Sequence, residues 1–276
     1  MTPDEYLREL AQAITQQEDL NDAEVRDVLY ELALRIYALL LSDLPNERLE
    51  RYMAWRQLRT RSILNLLAVN DLIAQQLYNR LATTELLVSE VARRYFQLPN
   101  GAVTSRPLTQ VLDDTRVVGV QVSRLFVPNP RTGISPFVLQ MLQLLEKSVV
   151  GMFFTDPPTE EIAAKVIGVR TSAGVQVPVA SKGTVANNWR ERVQSIVAAA
   201  LWATVQPAID RAAAAAAETP RAPQLLQWRW NAVLNPRTCP VCRPLHRRIE
   251  AAPEDFPQGP PPLHPRCRCV LIPEVE

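Results

Sequence analysis

The chain has 276 residues, 47% hydrophobic and 21% charged, with a formal net charge of +1. That length allows a substantial hydrophobic core, and the charge balance excludes a protein whose whole surface binds nucleic acid, leaving room for a local basic patch. The most apolar runs, Val28 to Leu44 and Pro136 to Phe154, are broken by Glu31 and Arg35 and by Glu146 and Lys147. They read as helices buried in protein, because a membrane span needs roughly 20 apolar residues. No basic segment leads into an apolar block and a cleavage site, so no signal peptide is expected.

The fold expected is α+β and predominantly helical, in three regions: residues 1–98 helical, 99–220 mixed and ending in a long helix, and 221–276 a small β tail. At the start, "TPDE" (Thr2 to Glu5) combines a hydroxyl cap, proline in the first helical position and a glutamate three residues after the cap. Asn21 and Glu24 repeat that pattern before Val25, Val28, Leu29, Leu32, Ile36 and Leu39, which predicts a second helix beginning there. From Asn46 to Pro99 the chain lacks both Gly and Pro. Its apolar positions fit one long helix or two that break near Val69 to Asp71.

After Pro99 the pattern changes. "VVGVQVSRLFV" (Val117 to Val127) is β-branched and partly alternating, which predicts a strand. Ser135 and Pro136 predict a helix to about Val150, and Thr159 with Glu160 and Glu161 a shorter one ending near Gly168. "SAGVQVPVA" (Ser172 to Ala180) reads as a hairpin or extended loop. A long helix is expected from Thr184, kinked at Pro207 and continuing through the alanines to Ala217. "LLQWRWNAVLN" then predicts a strand with Trp228 and Trp230 on one face, and "CVLIPEV" closes the chain as another.

Proline is frequent (23, against 8 Gly) and dense after Pro220, which makes the tail loop-rich with little core of its own. All four cysteines and both histidines lie there. Cys239 and Cys242 form C-x2-C, whose tight turn aims two sulfurs at one ion, and His264, Cys267 and Cys269 follow at H-x2-C-x-C spacing. Cys239, Cys242, His264, Cys267 and Cys269 are therefore candidate ligands of a structural zinc. Cys267 and Cys269 can both ligate, leaving His264 beside the site, or His264 can replace one of them. Zinc would also hold together a tail short of apolar residues. Two disulfides, a redox pair and free thiols are the competing readings. His246, among Arg243, Arg247 and Arg248, is expected to be a solvated surface residue.

Two further classes bear on function. Arg229, Arg237, Arg243, Arg247 and Arg248, with Arg221, Arg266 and Arg268, make the tail basic, and Trp228 and Trp230 could stack on bases, so the tail is a candidate nucleic-acid surface. Catalysis is not expected. A cysteine-rich zinc site is normally closed, and no H-E-x-x-H, P-loop, G-x-G-x-x-G or G-x-S-x-G sequence is present.

"WNAVLNPRTCPVCRPL" (Trp230 to Leu245) and "PPLHPRCRCVLIP" (Pro261 to Pro273) resemble the C-terminal signature of the phage Mu protein F family of head-morphogenesis or minor head proteins. The helix "RERVQSIVAAALWATVQPAIDRAAAAAAE" before it is consistent with that likeness. His246 and Arg247 stand where the family usually has aspartate and glycine, and "AAALWATVQ" where it has an arginine-threonine-glutamate type motif. The resemblance implies a structural component of a tailed-phage virion, assembled in the host cytoplasm and present in several copies at the portal or neck vertex. The implied partners are the portal or neck ring, capsid proteins and packaged DNA, without a membrane.

Overall fold

The computed structural model describes the chain except residues 46, 118, 156, 173–174, 180–181, 221, 223–224, 233–238, 262, 264–266 and 276. Its secondary structure is mostly helical, with a small antiparallel sheet built from the tail.

Helix α1 spans Pro3–Asp43. Its start is a reciprocal cap: Glu5 N–H donates to Thr2 Oγ1 at 3.2 Å, and Thr2 N–H donates to the Glu5 carboxylate at 2.7 Å. No second helix begins at Asn21. Ile14, Gln17, Asn21, Val25, Leu29, Leu32, Ile36 and Leu40 are all buried at three- and four-residue spacing, so Asn21 falls on the core face of a helix that continues through it.

Helix α2 spans Arg48–Tyr95 as one unbroken element. Asn70, in the stretch where a break was conceivable, is buried and serves tertiary contacts instead. Its amide donates to Phe126 O at 2.9 Å and accepts from Ser135 Oγ at 2.8 Å. The helix ends with Leu98 N–H on Arg93 O and Gln97 N–H on Arg94 O, with Gln97 at φ 53°. That is the reversal usually given to glycine.

Helix α3 covers Leu108–Asp114. The strand expected over Val117 to Val127 is not formed. Strand β1 (Arg116–Val117) turns back through Gly119, at φ 78°, into β2 (Val120–Gln121), and α4 follows at Val122–Leu125. The glycine converts a β-branched run into a tight turn. Helix α5 (Pro136–Val149) is capped by Ser135, which accepts Val138 N–H at 3.2 Å, and leads into a 3-10 segment, Val150–Phe154. Helix α6 (Thr159–Val166) precedes the antiparallel hairpin of β3 (Gly168–Ser172) and β4 (Val175–Val179).

The long helix expected from Thr184 is divided into α7 (Val185–Ala203) and α8 (Val205–Glu218). The division falls at Thr204, three residues before Pro207. A proline has no N–H to donate and its ring crowds the carbonyl four residues back, here that of Ala203. Thr204 satisfies the interruption, bonding Leu201 O through both N–H (3.2 Å) and Oγ1 (2.8 Å). In α8, Ala208, Ala212, Ala213 and Ala216 are buried.

The contacts cluster into two compact units. One comprises Met1–Leu20, Leu77–Val122 and Ser195–Glu276; the other comprises Asn21–Gln76 and Ser123–Gln194. In the second, Phe126 packs on Phe137 (centroids 4.9 Å apart), Trp189 Nε1 donates to Met141 O at 2.8 Å, and Arg190 pairs with Asp22. In the first, Tyr6 stacks on Tyr95 at 4.5 Å, and the fully buried carboxylate of Glu85 accepts from Arg106 at 3.0 Å and from Arg211.

Candidate metal centre

The cysteines are positioned by the sheet of the first unit. Strand β5 (Leu225–Ala232) lies between β6 (Ile249–Glu250) and β7 (Cys269–Val275), antiparallel to both. Its register pairs Trp228 with Pro273, Trp230 with Leu271 and Ala232 with Cys269. Cys269 is therefore fixed at the end of β7, opposite the last residue of β5, and Cys267 lies two residues before it.

This sheet has a packed core. Trp230, Phe256, Val270, Leu271 and Ile272 are essentially inaccessible, and Trp230 meets Phe256 at 5.4 Å between centroids. Each such side chain contributes about 1.5–3 kcal/mol on burial. Helix α8 packs on β7, and Gln206 accepts Leu271 N–H at 2.8 Å. Tyr95 of α2 donates to Pro273 O at 2.6 Å. The expectation of a tail with little core of its own is thus corrected. The prolines punctuate loops, while Trp228, Trp230, Leu245, Phe256, Val270, Leu271 and Ile272 between them are buried.

Cys242, Cys267 and Cys269 converge, all buried, with their sulfurs within 4.8 Å of one another. Cys242 Sγ and Cys267 Sγ are 3.8 Å apart. Four sulfurs at about 2.3 Å from a tetrahedral zinc stand roughly 3.8 Å from each other, so this pair already has the edge length of such a site. Cys239, half-buried, begins the turn. Its sulfur accepts Cys242 N–H at 3.2 Å, and its carbonyl accepts Arg243 N–H at 3.1 Å. An amide donor at sulfur favours the thiolate over the thiol. None of the four forms a disulfide. Burial pushes the Cys242 thiol up to about 12, and a hydrogen bond to Cys267 together with burial raises Cys269 further. Such a group is a protonated cluster on its own and a ligand set when a cation supplies positive charge. The buried cysteines could bind a metal ion, with Cys239 nearby. His264 lies outside the described residues.

Residues 180–272 match the family model described as Phage Mu protein F like protein. The matched stretch takes in α7, α8, β5, β6 and all four cysteines, and includes the segments that carried the resemblance, Trp230 to Leu245 and all but the last residue of Pro261 to Pro273. No curated protein and no solved structure matches the chain.

The basic residues are distributed differently from the cysteines. Arg229 is largely buried and pairs with Asp4 (3.0 Å) and Glu274 (3.4 Å), and Arg248 pairs with Glu250 at 2.7 Å. Arg268 pairs with Glu18 at 2.6 Å. Arg243 and Arg247 are exposed, and Arg237 lies outside the described residues. Trp228 and Trp230 are buried, at 7% and 0% exposure, so neither presents a ring face to a base. His246 is half-buried rather than solvated. Its Nδ1 accepts Ala232 N–H at 3.2 Å, and burial, with Arg247 and Arg229 nearby, holds its pKa below the usual imidazole value.

Two site features escaped the sequence reading. Glu18, which also accepts from Trp202 Nε1 at 2.9 Å, holds Arg268 between two of the cysteines. The backbone bond of His246 holds the end of β5. The first pairs residues 250 positions apart, a separation that no local pattern reveals. The second joins residues 14 positions apart.

Proposed function

We propose that the chain is a structural head-morphogenesis protein of a tailed phage, bound in several copies at the portal or neck ring. The observation that carries this reading is the family match over 180–272, which falls on the sheet and cysteine cluster. The role proposed is mechanical rather than catalytic. Cys242, Cys267 and Cys269 are buried, which suits a closed structural centre without an open coordination position. Zinc is the ion proposed, held by Cys242, Cys267 and Cys269, with Cys239 or His264 completing a tetrahedral set. It would staple the tail to β5 and supply no chemistry.

The DNA-binding alternative rests, among the described tail arginines, on Arg243 and Arg247, with both tryptophans buried. It is the weaker reading. No described helix is long and apolar enough to cross a membrane.

The test is reconstitution with purified portal rings. A ring offers equivalent sites, so the full chain should co-sediment at a saturating ratio fixed by the ring's symmetry. Absence from assembled heads, together with no affinity for portal or capsid protein, would end the proposal.

A further inference from the structure

We propose that the cleft between α2 and the end of α5 is a docking site for an acidic segment of a partner protein, one that carries an aliphatic or aromatic side chain beside its carboxylates. The cleft lies wholly within the second unit and has a volume of about 660 Å³. Binding clefts for small ligands and side-chain anchors run at roughly 300–1,000 Å³.

Its lining is built for an apolar knob within a positive rim. Trp55 forms the floor, 3% exposed and set edge-on to Phe153 at 6.1 Å. Tyr52, half exposed, lines the cleft as well. Across from them the chain passes through Gly151, where no atom lies within 4 Å of an added Cβ, so a side chain from outside can approach the backbone. Arg59 and Glu146 pair at 2.6 Å and cancel each other. Arg56 and Lys147 are exposed, and neither has an ion-pair partner among the described residues. Three cations against one carboxylate leave two positive charges in this cleft, on a chain whose total is +1. Aromatic and arginine side chains around a pocket are the composition of binding hot spots, and free cations at the rim select an acidic partner.

A peptide fits better than a phosphate ligand. Arg56 lies on α2 and Lys147 on α5, an arrangement that suits carboxylates spaced along a chain better than one compact dianion. Carboxylates spaced along a peptide can reach Arg56 and Lys147 separately while the apolar side chain fills the space over Trp55. The inference stands apart from the virion reading, and either can fail alone.

The full-length protein would be titrated by fluorescence polarisation against a fluorescein-labelled peptide with a Leu-Phe pair flanked by Glu and Asp. One control peptide carries Lys for the acids, another Ser for the Leu-Phe pair. Saturable, salt-weakened binding of the first peptide alone is expected, reduced about tenfold or more by R56E and by K147E. Both changes are at exposed positions and should leave the melting temperature unchanged; Y52A gives an independent reduction through the apolar wall. Absence of saturable binding, equal binding of either control, or no effect of R56E and K147E would overturn the proposal. So would displacement of the peptide by inorganic pyrophosphate, or self-association that R56E abolishes, which would make the cleft an interface between copies.

Discussion

Arg268 donates to the carboxylate of Glu18 at 2.6 Å, so the residue separating Cys267 from Cys269 is tied to the first helix of the chain. Burial raises the pKa of Glu18, against the opposing pull of Arg268 and the Trp202 indole. Arg268→Ala removes the main counter-charge and leaves a desolvated carboxylate. A loss of about 2 kcal/mol is expected at neutral pH, given the partial exposure of the pair. The sign with pH follows. An acid whose folded pKa is raised costs stability while ionised, and the cost disappears as pH falls through that pKa. The deficit of Arg268→Ala relative to the parent should therefore shrink on acidification. Denaturant melts at pH 7 and pH 5 would check this; an unchanged deficit would show that Glu18 stays solvated.

Glu85 holds two arginines, Arg106 and Arg211, with only 1% of its side chain exposed. Glu85→Ala takes from Arg211 its carboxylate and leaves Arg106 with Asp114 alone, and removing one partner of a buried ionic group costs about 3–5 kcal/mol. Glu85→Leu should be nearly as harmful because the cations remain. Adding Arg106→Met and Arg211→Met to it should recover much of the loss. Chemical denaturation of the single and triple variants measures the difference.

These two networks mark where sequence reading stopped. The capped starts at Thr2 and Ser135 are local, made by side chains three residues apart, and were legible. The cysteine cluster was legible too, because C-x2-C and C-x-C constrain sulfur positions whatever surrounds them. Asn21 misled because a cap pattern and a buried polar position look alike until the phase of Ile14 and Gln17 before it is set beside that of Val25 and Leu29. Val117 to Val127 misled because Gly119 outweighs β propensity when the chain has to reverse. The core of the tail was invisible because its cover comes from Tyr95 and α8, far away in sequence.

At the end of α2, Gln97 occupies the left-handed region at φ 53°, with Leu98 N–H closing back on Arg93 O at 3.0 Å. A side chain there costs about 1 kcal/mol that glycine does not incur, partly offset by the freedom glycine adds to the unfolded chain. Gln97→Gly should raise stability by about 0.5 kcal/mol and Gln97→Val should lower it. Thermal melts would show the opposite signs. The same direction for both would mean that the side chain of Gln97 matters more than its backbone.

His246 accepts Ala232 N–H through Nδ1, which requires the neutral ring. Its folded pKa lies below 6.5 through burial and the nearby Arg247 and Arg229, so the unfolded chain takes up the proton first as pH falls. That residue contributes stability present above the unfolded pKa and lost on acidification below it. Replacing it with alanine should cost about 1 kcal/mol at pH 8 and less at pH 5. Amide exchange at Ala232 would report the bond directly, with protection falling in the parent below pH 6.5 and absent at all pH in His246→Ala.

The cysteine cluster carries the last prediction. Buried thiols packed together are protonated in the absence of a cation, whereas zinc binds thiolates, so loading the metal must release protons. Titration of zinc into chelated, reduced protein in buffers of different ionisation enthalpy should show that release, with an affinity that rises with pH. Metal loading should raise the melting temperature of the whole first unit, because β7 carries both Cys269 and the bonds to Gln206 and Tyr95. Cys242→Ser should abolish stoichiometric binding, since its sulfur is 3.8 Å from Cys267 and within 4.8 Å of Cys269. Cys239→Ser tests whether the half-buried cysteine is the fourth ligand or a neighbour. As a ligand it should weaken binding strongly, and as a neighbour it should lose only the support its sulfur gets from the Cys242 amide. Chelation that changes neither melting temperature nor proton balance would leave the cluster as a packed group of thiols.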